Sequence, residues 1–233
     1  MSIPLFLAMT GQEIHQNPSL PEKIAWMSCH FSAGDAGISH IPDNMPRNSM
    51  LILDDRIPYQ GHNSAMVCAH LLDTVNRHRC SHVLLDFERP PTAATLPLVR
   101  QICETMPCPV GIPIDYANDL DCPIFVPPVP PHLTLHAYLT PWKNREIWLE
   151  VALDGSLATI TDKGCQFTPV PYPMPEEPMH HCTELCCHYH TAVSPEQIQF
   201  SYFRTSEDLI DLQNHAAKYG VTLSIGLYQE LGK

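Results

Sequence analysis

Along the chain, short apolar runs rich in Val, Ile and Leu alternate with longer mixed stretches, and each run ends abruptly at polar residues. The runs are "IPLFLAM" (3–9), "KIAWMSCHF" (23–31), "MLILDDR" (50–56), "HVLLDFE" (82–88), "PVGIPIDY" (109–116), "CPIFVPP" (122–128), "EIWLEVAL" (146–153) and "VTLSIGLY" (221–228). Continuous apolar runs of this length read as strands buried on both faces, the form that parallel sheets take. Helical spacing fills several of the gaps. Residues 62–79 place Ala65, Met66, Ala69, Leu72 and Val75 near one face, and residues 92–105 predict a second helix that Pro97 kinks or shortens. The clearest helix is predicted over 206–219. There Thr205 and Asp208 have capping-box spacing, Leu209, Leu212 and Ala216 form the apolar stripe, and Gly220 suits a left-handed stop.

Strand–helix–strand alternation with eight strands predicts an α/β fold, a (β/α)8 TIM-like barrel, and 233 residues suit a single domain spanning 1–233. The barrel should be irregular. Only residues 117–121 separate the fifth run from the sixth, too few for a crossover helix, and the Pro-rich 129–145 has room for one turn. Residues 154–205 read differently. "SLATITDKGCQFTPV" alternates about a turn at Asp162, Lys163 and Gly164, and "ELCCHYHTAVSPEQIQFSYFRT" reads as two strands joined by "SPEQ". A small antiparallel β insertion before the last helix and strand is therefore expected.

Charge narrows the partners. Net charge is −12 with only 13 Lys and Arg and no basic run, so neither nucleic acid nor an anionic membrane surface is an expected partner. No apolar stretch reaches the length of a membrane span, and the N-terminal run lacks a preceding Lys or Arg, so a cytoplasmic protein is expected. The 24 prolines predict long, stiff loops. The 10 cysteines are scattered, several inside apolar runs, and most are expected to be buried free thiols.

In a (β/α)8 barrel, groups that act on a ligand project from the C-terminal ends of the strands. By that rule the candidates are His30, then Asp54, Asp55 and Arg56, then Asp86, Glu88 and Arg89, then Asp115 and Tyr116, then Glu150, and last Tyr228. Asp86 and Glu88 stand two apart on a strand and so face one side. Carboxylates that close push one pKa up, which supplies a general acid near neutral pH; equally, two acids can mark a hydrated strand end partnered by Arg56 or Arg89.

"LLDFE" (84–88) resembles the end of the DxxDxDxE strand of family 18 glycoside hydrolases, the chitinase-like barrels, where that strand is the fourth, as it is here. The first two family aspartates fall at Ser81 and Leu84, leaving Asp86 and Glu88. The resemblance implies a carbohydrate or similar polar small ligand, Glu88 as general acid, and Asp86 orienting an acetamido group. Tyr228 stands where that family has a tryptophan, and an insertion between the last two strands fits residues 154–205. "IAWMSCHF" and "GLYQEL" are similar to stretches of uncharacterised bacterial proteins, which implies no function.

Two other readings stand beside the hydrolase. The same barrel can serve as a non-catalytic binding or scaffold protein. Alternatively, "MHHCTELCCHYH" gathers metal-ligand types, and a strand over 184–193 would put Cys186, His188 and His190 on one face for Zn²⁺. The leading reading requires no cofactor. Nucleophile-elbow, dinucleotide and P-loop motifs do not occur. Trp26, Trp142 and Trp148 can line a sugar site or fill the core, with "PWKNREIW" the expected place for an exposed indole.

Overall fold

A computed structural model describes residues 3–33, 37–61, 63–117, 120–170 and 179–232. In chain order the strands are β1 (Leu5–Met9), β2 (Ile24–Phe31), β3 (Ile38–Ser39), β4 (Met50–Asp54), β5 (His82–Asp86), β6 (Val110–Pro113), β7 (Ile124–Val126), β8 (Ile147–Glu150), β9 (Gly155–Thr161), β10 (Gly164–Val170), β11 (His180–Cys182), β12 (Cys187–Val193), β13 (Ile198–Phe203) and β14 (Val221–Leu227). The helices are α1 (Gly11–Gln16), α2 (Ser64–His78), α3 (Thr95–Thr105), α4 (Leu135–Leu139), α5 (Ser206–Ala216) and α6 (Tyr228–Leu231).

Parallel pairing runs β1–β2–β4–β5–β6–β7–β8–β14 and returns to β1, so all eight apolar runs become staves of one closed barrel. The short β3 adds antiparallel to the edge of β2 where it rises past β1. The predicted irregularity is real: among the described residues, one turn of 3-10 helix, Ile114–Tyr116, lies between β6 and β7, and the short α4 and a 3-10 turn lie between β7 and β8.

Alternation along each stave decides what fills the barrel. His82 of β5 points inward, its ring centroid 5.2 Å from Phe6 of β1 and 5.3 Å from Trp148 of β8, each three staves away around the barrel. The Trp148 indole reaches across β7 to Gly111 of β6, where an added Cβ would lie 2.2 Å from the ring. Gly111 thus leaves the hole that Trp148 fills. Trp148 is 0% exposed, so of the two indoles in "PWKNREIW" the partly exposed one is Trp142; the Trp148 N–H donates to Glu146 Oε1 at 3.2 Å.

The outer helices follow their capping signals. Thr205 accepts from the Asp208 amide while the Asp208 carboxylate accepts from the Thr205 amide, and the chain turns at Gly220 with φ +88°. Pro97 sits in the first turn of α3, where no backbone donor is needed, so the helix begins at Thr95 and runs unbroken. On α2 the buried face is Val67, Cys68, Leu71, Thr74, Val75 and His78, rather than the stripe through Ala65, Met66 and Ala69. The difference arises because two polar residues of that face are satisfied in place. The Thr74 hydroxyl donates to the His70 carbonyl (2.8 Å), and His78 Nε2 lies 3.0 Å from the Pro42 carbonyl.

The insertion is a five-stranded antiparallel sheet in the order β10–β9–β13–β12–β11. The two hairpins expected there form, β9–β10 around residues 162–163 and β12–β13 around 194–197. Arg204, 1% exposed, fastens the sheet to the barrel. Its guanidinium donates to the carbonyls of Val129 and Pro130 after β7, and to those of Leu185 and Cys186 before β12.

Candidate functional site

The inward parity of β5 runs His82, Leu84, Asp86, and continues to Glu88 just past the strand. Asp86 stands level with Asp54 of β4, and Asp54 with His30 of β2, so one rim carries three polar side chains in register. Across the barrel, Trp148 and then Glu150 hold the same inward parity on β8, level with Phe125 of β7. The result is a cleft of about 460 Å³ at the C-terminal mouth, walled by Asp86, Glu88, Asp115 and Glu150 with Phe125 and Pro127 as apolar surface.

Electrostatics separate these acids. Burial first, and then the charges of Glu88, Asp54 and Asp55, push the Asp86 carboxyl up to about 6. Glu150 rises to about 7, first through burial and then through Asp86, Glu230, Asp154 and Glu88. Low dielectric and like charge both disfavour the ionised form. The side chain of Glu88 is exposed to solvent at the lip of the cleft. Asp86 and Glu150 are therefore both held toward their protonated forms in a cleft walled by acids, while Arg204 lies 3.8 Å from Asp154.

Several other predicted site residues are committed elsewhere. Asp55 is 5% exposed and faces away from the mouth; its two oxygens accept the backbone amides of Glu88 and Arg89, both at 3.0 Å. It orients the segment that carries Glu88 rather than meeting a ligand. Arg89 folds back onto the carbonyls of Asp55 (3.1 Å) and Arg56 (3.4 Å), and exposed Arg56 pairs with Asp54 at 3.4 Å. Tyr116 is buried; its hydroxyl donates to the Arg89 carbonyl and to Thr95 Oγ1, and its ring meets Phe87 edge-on. His30 lies against His40, ring centroids 4.6 Å apart. Tyr228 donates to Asn17 Oδ1 at 2.9 Å. His30 keeps the rim register but turns to His40, the others are held by partners outside the cleft, and none of these residues walls it.

Phe125 and Pro127 were not singled out by sequence, because an aromatic in a short apolar run reads as core; only register with Trp148 turns it inward. Asp154, whose charge is one of those that raise Glu150, lies between β8 and β9, where the sequence carries no signal.

The His/Cys cluster takes a different form from the one expected. β12 begins at Cys187, while Cys186 belongs to the preceding turn with φ +47°, so it does not share a strand face with His188 and His190. His188 Nδ1 (2.8 Å) and His181 Nε2 (3.2 Å) both meet the Asp208 carboxylate at the start of α5. Among the described residues no group of three or more His, Cys, Asp or Glu side chains has the geometry to hold a metal ion. Nor is any helix among them long and apolar enough to cross a membrane.

No family profile matches the chain, and no curated protein is similar to it in sequence. Solved structures are similar in fold. The spore cortex-lytic enzyme SleL of Bacillus cereus superposes over 97% of this chain and 70% of its own, with TM-score 0.60 and 11% identity. The GH18 chitinase of Cycas revoluta, crystallised with (GlcNAc)3, superposes over 96% and 94%, with TM-score 0.59 and 10% identity. The chitinase-like agglutinin RobpsCRA of Robinia pseudoacacia gives 95% and 93%, TM-score 0.60 and 10% identity. With its closed eight-stranded parallel barrel, its acid-bearing fourth stave and its antiparallel insertion ahead of the last helix and strand, the chain has the fold of the chitinase-like barrels.

Proposed function

We propose that the barrel mouth binds a saccharide and that Glu88 acts there as a general acid on a glycosidic bond, with Asp86 as its partner. The observation that carries this reading is the convergence of Asp86, Glu88 and Glu150 on one open cleft beside an aromatic wall. A saccharide offers hydroxyls to such carboxylates and a C–H face to Phe125. The likeness in fold to a chitinase crystallised with (GlcNAc)3 favours an N-acetylated sugar.

In this reading Glu88 gives its proton to the leaving oxygen as the C1–O bond breaks. The substrate's own acetamido carbonyl oxygen bonds to C1, and Asp86 accepts the acetamido N–H, holding it for attack. Water then opens that intermediate and returns a proton to Glu88. Asp55 positions the acid by holding the Glu88 and Arg89 amides.

A second reading, a binding protein without turnover, is favoured by what stands behind Asp86. Leu84 is 1% exposed in the core and the Ser81 hydroxyl donates to the Asn48 carbonyl, so no further carboxylate supports Asp86 from its own strand. Hydrolysis of chromogenic N-acetylglucosaminides by wild type and Glu88→Gln separates the two. A catalytic Glu88 predicts a loss of about 100-fold or more with binding retained. Equal rates reject Glu88 as the acid, and sugar binding by both proteins without hydrolysis establishes the binder.

A further inference from the structure

The floor of the barrel, opposite the mouth, carries a group of thiols that the saccharide site does not use. Cys80, Cys108 and Cys122 each stand two residues ahead of a stave, β5, β6 and β7 respectively, so three neighbouring staves begin beneath a cysteine. Cys103 comes down to the same level on α3. Cys103 and Cys122 are both half-buried and free, and their side chains are hydrogen-bonded to each other.

Arg145 breaks the symmetry of that pair. Its guanidinium donates to the carbonyls of Ala117 (3.1 Å), Leu120 (2.5 Å) and Cys122 itself (2.8 Å), which puts a fixed positive charge beside one sulfur. We propose that Cys103 and Cys122 form a peroxide-oxidisable dithiol, with Cys122 as the attacking sulfur and Cys103 as the resolving one.

The Cys122 thiol is lowered by the hydrogen bond from Cys103 and by Arg145, against burial and Asp121. Cys103 is raised by donating that bond, by burial and by the charges of Cys122 and Glu104. A thiolate so stabilised attacks one oxygen of hydrogen peroxide. The O–O bond breaks, hydroxide leaves and takes up the proton that the Cys122 thiol released on ionising, giving the first water, and Cys122 becomes a sulfenic acid. Cys103 then attacks that sulfur, the S–O bond breaks, and water departs with the Cys103 proton. Two thiols and one peroxide give one disulfide and two waters. The neighbouring thiols stay protonated: burial pushes Cys108 up to about 11 and Cys80 up to about 12.

One other pair offers an internal comparison. Cys182 and Cys187 lie directly opposite each other on β11 and β12, so backbone placement alone favours them equally. Cys187, however, is 0% exposed, and burial pushes it up to about 12.

The reduced full-length chain is exposed to one equivalent of hydrogen peroxide, blocked with N-ethylmaleimide and mapped by peptide mass spectrometry. The expected result is a mass loss of two hydrogens located to a Cys103–Cys122 link and reversed by dithiothreitol. That link should form on the order of tenfold faster than any Cys182–Cys187 link. In Cys103→Ala, dimedone should trap a sulfenic acid on Cys122. A Cys182–Cys187 link formed first, or oxidation of exposed Cys165 ahead of Cys122, overturns the proposal. The wild-type map decides the matter if the variant does not fold.

Discussion

Glu150 and Asp86 share the mouth, and both are raised by burial and by neighbouring carboxylates, Asp86 among those that raise Glu150, which makes them a protonation device as well as a wall. Both folded-state pKa values lie above the ordinary carboxylate range, so the native chain binds their protons more tightly than the unfolded chain does. The stability this contributes is complete below about pH 4.5 and is lost as pH rises through about 6 for Asp86 and about 7 for Glu150. Glu150→Gln removes the larger part of that loss, on the order of 3 kcal/mol at pH 8. The variant should unfold at higher temperature than wild type at pH 8 and show a flatter decline between pH 4.5 and 7; parallel curves for the two proteins would remove Glu150 from this role. Asp55 works through the backbone. Asp55→Ala leaves two part-buried amides without their acceptors, at a cost of about 1–3 kcal/mol in urea unfolding, and should also weaken saccharide affinity by loosening the Glu88 segment. Spacing alone made Asp86 and Glu88 legible as a pair. It gave the same weight to Asp54 and Asp55, although one faces the mouth and the other the backbone of the next stave.

At the scale of the element, local chemistry is the dependable guide. The box at Thr205 and Asp208 and the glycine at 220 mark α5 in the sequence and in the fold, because a cap is a contact between residues three apart. Thr205→Ala should cost about 1 kcal/mol, read from chemical denaturation. The Asp208 carboxylate that completes the box is raised by burial, but hydrogen bonds from Thr205 and His188 outweigh this and leave it lowered. Its contribution is present above the ordinary Asp range and fades as pH falls through the folded value. The stripe of α2 was harder to read, because Thr74 and His78 are buried with partners supplied locally and by a distant loop. The strand expected over 184–193 begins later because the left-handed Cys186 interrupts it, and β11 is too short to register as a pattern at all.

Over the whole molecule, one side chain spans the barrel. Trp148 touches His82 and fits the space above Gly111, so contacts between staves far apart in the chain depend on it. Trp148→Ala should cost about 3–5 kcal/mol through the cavity it leaves. Gly111→Ala should also destabilise, since its Cβ cannot coexist with the indole; urea midpoints for both variants check the pairing, and an unchanged Gly111→Ala midpoint would refute it.

The sequence by itself determined the eight staves, the insertion and the capped helix, because each rests on a period or a spacing that short stretches of chain carry within themselves. It also placed two acids on one side of the fourth stave. Only the tertiary structure decided that Glu150 joins them while Tyr116 and Asp55 do not, that Trp26 and Trp148 belong to the core, and that scattered cysteines meet beneath the barrel. Those outcomes depend on register between strands and on which loop covers which residue, and barrel closure sets both.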